Sequence, residues 1–149
     1  MAETFQLEVT TPERMVIREQ VEEAQIPLRS GYIGVLPGHA PLLGEVQAGA
    51  VSFRAGRRTA HIAVSGGFAE VLPRQTKVLV ETAERAEEID VARAEAARQR
   101  AEQRLRRPDP DTDILRATAA LQRALARLQV AAKRPVSYTH LRAHETVLD

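Results

Sequence analysis

The sequence predicts an N-terminal antiparallel β-sandwich or barrel followed by a C-terminal two-helix antiparallel hairpin, and three observations carry that prediction. Short alternating or β-branched runs, separated by glycine and proline, fill roughly the first 80 residues, with no helical pattern between them. Near Glu84 the composition turns abruptly to Ala, Arg, Glu and Gln, a strongly helix-forming mixture. Pro108-Asp109-Pro110-Asp111 interrupts that run, because proline cannot continue a helix and restricts the residue before it.

In Phe5-Gln6-Leu7-Glu8-Val9 apolar and polar side chains alternate, the period of a half-buried strand, and Thr11-Pro12-Glu13 ends it. Comparable runs are expected at residues 15–17, 21–28, 32–36, 50–53, 59–64, 68–72 and 77–80. Ser30-Gly31, Pro37-Gly38, Gly44, residues 55–58, Gly66-Gly67 and Pro73-Arg74-Gln75 supply the backbone freedom or fixed φ that turns between them require. The first helix is expected over residues 89–107. Thr112 or Asp113 is expected to cap the second, which runs to about Lys133.

The two helices differ. In the second, Ile114, Thr118, Leu121, Leu125 and Leu128 recur at steps of three and four and predict one apolar stripe, with Arg116, Arg123 and Arg127 opposite. In the first, the corresponding stripe is Ala94, Ala97, Ala101 and Leu105, while Arg93, Arg100 and Arg104 share another face. Alanine allows close approach but buries little area, and at about 25 cal/mol per Å² the hairpin has a thin hydrophobic margin. It is therefore expected to be able to leave its docking place. The predicted division is a sandwich over residues 1–83, a regulatory hairpin over 84–134 and a non-native tail over 135–149, with residues 84–94 as the hinge. The tail continues neither helical pattern and resembles read-through of a cloning or sequencing adapter.

A chain of 149 residues allows one ordinary domain or a small domain with an appendage. It has no cysteine, which excludes disulfides and thiolate metal sites and fits a reducing compartment. The N-terminus has neither a basic start nor an apolar run, and no segment approaches the ~20 apolar residues of a membrane span, so a soluble or peripheral protein is expected. The net charge of +1 hides an asymmetry. Residues 116–134 carry five cations and no carboxylate, which suits an acidic partner or an anion, although a solvated basic face is the commoner meaning of such a stretch.

No phosphate-binding glycine loop, Gly-x-Ser-x-Gly elbow, metalloprotease helix or glycine-rich dinucleotide turn is present. His39 and His61 are isolated, and nothing assembles a nucleophile, a base and an oxyanion hole, so an enzyme acting alone is not expected. His140 and His144 stand at i and i+4 but lack a third ligand, and no metal site is expected. With 3% aromatic residues and none on the basic helices, nucleic-acid binding is poorly supported.

Two stretches say more when taken with the hairpin. Residues 31–43, Gly31-Tyr32-Ile33-Gly34-Val35-Leu36-Pro37-Gly38-His39-Ala40-Pro41-Leu42-Leu43, join a strand to a rigid apolar loop, and Ser65-Gly66-Gly67-Phe68-Ala69-Glu70-Val71 follows. On their own they are turn chemistry. In combination the chain from Phe5 to about Lys133 resembles the epsilon subunit family of F-type ATP synthases, called delta in mitochondria. The resemblance implies a rotor subunit without a catalytic site, seated at the foot of the central stalk against the gamma subunit and the ring of c subunits. It places Gly38, His39, Ala40, Pro41 and Leu42, with neighbouring Tyr32, at the c ring and gamma; some members carry a carboxylate at the position of Tyr32. It also implies that the hairpin folds against the sandwich or extends into the alpha/beta catalytic head. There Arg116, Arg123, Arg127 and Lys133 would face an acidic segment of the beta subunit and block ATP hydrolysis.

Ile89-Asp90-Val91-Ala92-Arg93-Ala94 is similar to the Ile/Leu-Asp-x-x-Arg-Ala motif with which some bacterial members bind ATP in the compact state. By that resemblance Glu84, Ile89, Asp90, Arg93, Ala94, Arg100, Arg123 and Arg127 are the candidate ATP residues. Carboxylates would accept from the adenine amino group or the ribose, and arginines from two helices would neutralise phosphate. The other meaning of the same residues is a favourable charge at a helix N-terminus beside solvated arginines.

The expected function is thus a central-stalk subunit that couples proton translocation to ATP synthesis and restrains hydrolysis, with ATP as a regulatory ligand and no required cofactor. The alternative is a free-standing nucleotide-sensing module without a synthase partner. The expected location is the cytoplasmic face of a bacterial plasma membrane, touched only indirectly through the c ring.

Overall fold

The computed structural model describes residues 3–134. The tail assignment at 135–149, with His140 and His144, lies outside the described residues. Eight strands come first: β1 (Phe5–Thr10), β2 (Met15–Val21), β3 (Glu23–Leu28), β4 (Gly31–Val35), β5 (Leu42–Val46), β6 (Gly49–Ala55), β7 (Arg58–Leu72) and β8 (Gln75–Arg85). A single 3-10 turn, Ala86–Glu88, leads into α1 (Val91–Arg106) and α2 (Ile114–Ala132). Among the described residues, no helix is long and apolar enough to cross a membrane.

Alternation positions the core as expected. In β1, Phe5, Leu7 and Val9 are buried while Gln6, Glu8 and Thr10 are half-buried, so one face packs inward and the other flanks solvent. The strands follow the path β2-β1-β8-β7-β5-β3-β4, and β6 bridges β3 and β7 to fold the sheet over on itself. Ile26, Val35, Val51, Ile62, Val71 and Val78 fill the interior between the layers. Every pairing is antiparallel except β1 with β8, which run parallel in register from Gln6 opposite Gln75 to Thr10 opposite Leu79.

Several strands differ from expectation. Val21 closes β2 instead of opening β3. Leu42 and Leu43, expected in an apolar loop, and Gly44, expected at a turn, belong to β5, which pairs with β7. The runs at 59–64 and 68–72 are one continuous strand, with Gly66 and Gly67 inside it. Both glycines have positive φ, 65° and 155°, and a Cβ at Gly67 would lie 1.9 Å from the Leu79 carbonyl oxygen. The pair therefore bends β7, whose first half pairs with β6 and second half with β5, without ending it. Likewise β8 continues past Val80, so that Glu84 and Arg85 pair with Ala63 and Ile62.

The helices begin where short carboxylates can cap them. Asp90 accepts from the Arg93 N–H and Asp113 from the Arg116 N–H, so Ile89 lies outside α1. The predicted stripe on α2 is displaced. Ala117, Ala124, Ala126 and Val130 are buried, whereas Ile114 and Leu125 are each 46% exposed. α2 packs on two sides, against α1, whose buried residues are Ala94 and Ala101, and against the sandwich, where Val130 is seated, so its buried positions are not those of a single leucine stripe. The hairpin is folded back on the sandwich. Val130 packs into a small cluster with Ala50, Ala63, Ala86 and Ile89. Beyond it, the Arg134 guanidinium donates to the carbonyls of Ala86 at 2.8 Å and Ile89 at 3.0 Å.

Candidate functional site

A cleft of about 570 Å³ opens where β8, the turn between β1 and β2, and both helices meet. Its size falls within the usual range for small-molecule sites. Glu84, at the end of β8, and Arg127, from α2, form an ion pair across it. From α1 come Asp90, Arg93, Ala94 and Arg100, three of them within the first turn and its cap. Six of the eight candidate ATP residues thus line one cavity. Ile89 instead points into the apolar cluster beneath the hairpin, and Arg123 is not among the lining residues.

The sandwich contributes groups that the motif does not contain. Glu13, Arg14, Glu81 and Thr82 line it from the sandwich, and Glu88 from the 3-10 turn that follows β8. Arg14 donates through Nη2 to Glu88 Oε1 at 3.0 Å, with Oε2 at 2.8 Å, and this contact holds the Glu88 carboxyl below its ordinary titration range. Glu88 also accepts from the Arg85 backbone N–H at 2.9 Å.

The donor set suits a polyphosphate with a polar base. Four guanidiniums converge, and among the described residues Arg93 and Arg100 make no ion pair. Three of the carboxylates are already engaged: Glu84 by Arg127, Glu88 by Arg14 and Asp90 by the α1 backbone. Any anion entering the cleft would have to compete with Glu84 for Arg127 and with Glu88 for Arg14. Among the described residues no three His, Cys, Asp or Glu side chains are grouped to hold a metal ion.

The loop assigned to partner contact is rigid. Gly38, at φ 85°, donates its N–H to Pro73 O at 2.7 Å, and His39 Nδ1 lies 2.7 Å from Ala40 O. Ala40, Pro41 and Leu42 are exposed. Beside them β5, β7 and β8 turn Leu43, Phe68, Leu72 and Leu79 outward, the first 71% exposed, an apolar surface larger than single scattered side chains. Phe68 and Leu79 lie directly opposite one another across β7 and β8. Tyr32 lies away from this loop. Its hydroxyl accepts from Ala50 N at 3.0 Å, and it lines a second cavity with His61, with Gln129 and Val130 of α2 and with Lys133 just beyond it. The basic residues of α2 and its C-cap have separate settings: Arg116 is exposed at the start, Arg123 half-buried, Arg127 paired, and the capping Lys133 beside His61.

The delta/epsilon-chain β-sandwich domain of ATP synthase matches residues 4–86, and the delta/epsilon-chain long α-helix domain matches residues 87–132. The chain belongs to the ATP synthase delta/epsilon family. The ATP synthase epsilon chain of Solibacter usitatus is 50% identical over 134 residues, covering 90% of this chain and 100% of that one. That of Bacillus subtilis is 48% identical over 130 residues, 87% and 98% of the two chains. Among solved structures, a chain of the Euglena gracilis mitochondrial ATP synthase shares the delta/epsilon fold, with a TM-score of 0.75 at 24% identity over 89% of this chain and 83% of that one.

Proposed function

We propose that this chain is a non-catalytic central-stalk subunit of an ATP synthase, whose hairpin takes a folded or an extended position, and that ATP in the cleft favours the folded one. The observation that carries the nucleotide reading is the cleft itself, walled by β8 on one side and by arginines of both helices on the other. Arg93, Arg100 and Arg127 would hold the phosphates, while Glu84 and Asp90 would accept from the base or the ribose. Such a site exists only while the hairpin is docked. ATP shifts the equilibrium by its differential affinity for the two positions and by no more.

The rotor reading is supported by about 50% identity to named epsilon chains across both domains. Gamma and the c ring would take the exposed apolar surface around Leu43 and Phe68 and the rigid loop at 38–42. When the helices extend, Arg116, Arg123, Arg127 and Lys133 would be presented to acidic groups of the alpha/beta head, restraining hydrolysis. Association with the membrane would then be peripheral, through the c ring, on the cytoplasmic face.

Titration of the isolated chain with ATP tests the nucleotide site: binding should saturate below millimolar concentration and weaken on Arg93→Ala. Absence of saturation at millimolar ATP, or an unchanged Arg93→Ala curve, removes it. Copurification with gamma and the catalytic head separates the stalk subunit from a free-standing nucleotide sensor.

A further inference from the structure

We propose that Arg14, on the sandwich turn between β1 and β2, is a fourth phosphate-binding residue of the cleft, exchanging the Glu88 carboxylate for the polyphosphate of a nucleoside triphosphate. The proposal rests on the nucleotide reading of the cleft and adds to it a grip from the sandwich side.

Arg14 lies outside the helical motif, yet it lines the same cavity as Arg93, Arg100 and Arg127. Its backbone is fixed before any ligand arrives. The Thr11 hydroxyl accepts from the Arg14 N–H at 3.2 Å and from the Glu13 N–H at 3.3 Å, while Thr11 N donates to Arg14 O at 2.9 Å and Thr10 Oγ1 donates to the same oxygen at 3.2 Å. The turn therefore needs no backbone rearrangement to present the side chain to a ligand. Of the five donors of a guanidinium, only those on Nη2 are used among the described residues, by Glu88 and by Ala83 O at 3.5 Å. Arg14 lines the cleft, and its side chain is 47% exposed.

The exchange leaves no stranded charge. Glu88 keeps the hydrogen bond from the Arg85 N–H when the guanidinium turns away, and it is 35% exposed to water. A phosphate oxygen takes over the charge-assisted contact. The consequence is mechanical as well as chemical. Arg93, Arg100 and Arg127 move with the hairpin, whereas Arg14 stays with the sandwich, so a triphosphate held by both can be bound fully only in the docked state.

The test is equilibrium binding of ATP and of adenosine to the full chain and to two variants, with thermal midpoints confirming the fold. Arg14→Ala should weaken ATP about tenfold, the effect of losing one charge-assisted contact, and leave adenosine unchanged. Glu88→Gln should bind ATP as tightly as the parent or more tightly, because it frees Arg14. An ion pair that only supports the wall predicts the opposite pattern for the second variant, with both substitutions weakening ATP alike. That pattern, or an Arg14→Ala curve matching the parent, overturns the proposal. No saturation by the parent overturns the nucleotide reading and this proposal with it, whereas parental binding insensitive to Arg14→Ala overturns this proposal alone.

Discussion

At the scale of single residues, Gly67 and Gly44 separate two meanings of glycine in a strand. A Cβ at Gly67 meets the backbone of Leu79, which cannot yield without breaking the β7–β8 ladder, while one at Gly44 meets the flexible Leu28 side chain at 2.8 Å. Thermal unfolding should show Gly67→Ala destabilised by about 3 kcal/mol and Gly44→Ala by about 1 kcal/mol. Thr76 presents the reverse situation. It is fully buried between Leu7 and Val71 in the ladder, and its hydroxyl has no partner among the described residues. Thr76→Val keeps the shape and removes the orphaned group, so the same measurement should show about 1 kcal/mol of stabilisation. The glycine pair was visible in the sequence but its effect was not, because a bend within a strand and a turn between strands draw on the same residue type. Arg14 carried no local signal at all: only the pairing of β1 with β8 brings it beside residues 69 positions away, such as Ala83.

At the scale of elements, the hairpin docks through little apolar surface, and an imidazole lies at the seam. His61, on β7, shares a cavity with Lys133 at the end of α2, Arg85 of β8, Glu87 of the 3-10 turn, Arg58 of β7 and Glu19 of β2. Burial first, and the Lys133 charge second, hold its pKa below the ordinary imidazole value. Docking therefore favours neutral His61. Its contribution is complete above the free value of about 6.5, declines as pH falls below that, and levels off beneath the lower docked value. Protection of α2 amides from hydrogen exchange should fall over that acidic window and lose the dependence in His61→Asn. Existence, order and caps of the helices were legible because propensity, proline and aspartate act locally. The buried face of α2 was not, because leucine periodicity marks the most apolar stripe, whereas burial is set by two neighbours, α1 on one side and the sandwich on the other.

At the scale of the whole molecule, the sandwich and hairpin meet around the cleft, and the six candidate residues that line it were nameable beforehand only through the family resemblance of the stretch 89–94, since no spacing links Glu84 or Arg127 to it. What the sequence could not show is that the last strand runs to Arg85, so that Glu84 belongs to the sheet. A truncation testing the hairpin's inhibitory role should accordingly end after Glu88 and leave β8 whole. In the assembled synthase that truncation should raise ATP hydrolysis severalfold, and an unchanged rate would remove the inhibitory role. The placing of β8 has a further consequence, for the order of events during synthesis. β8 enters between β1 and β7, the first strand and the one just made, and among the described residues it is the only strand joining them. Until residue 85 has been translated, both neighbours present bare ladder edges, a state that invites pairing with other chains. At roughly 5–20 residues per second the gap between the end of β7 and the end of β8 lasts about a second. The nascent chain is thus most vulnerable to misassembly just before its sheet can close, and the helical segment emerges only onto a surface already finished.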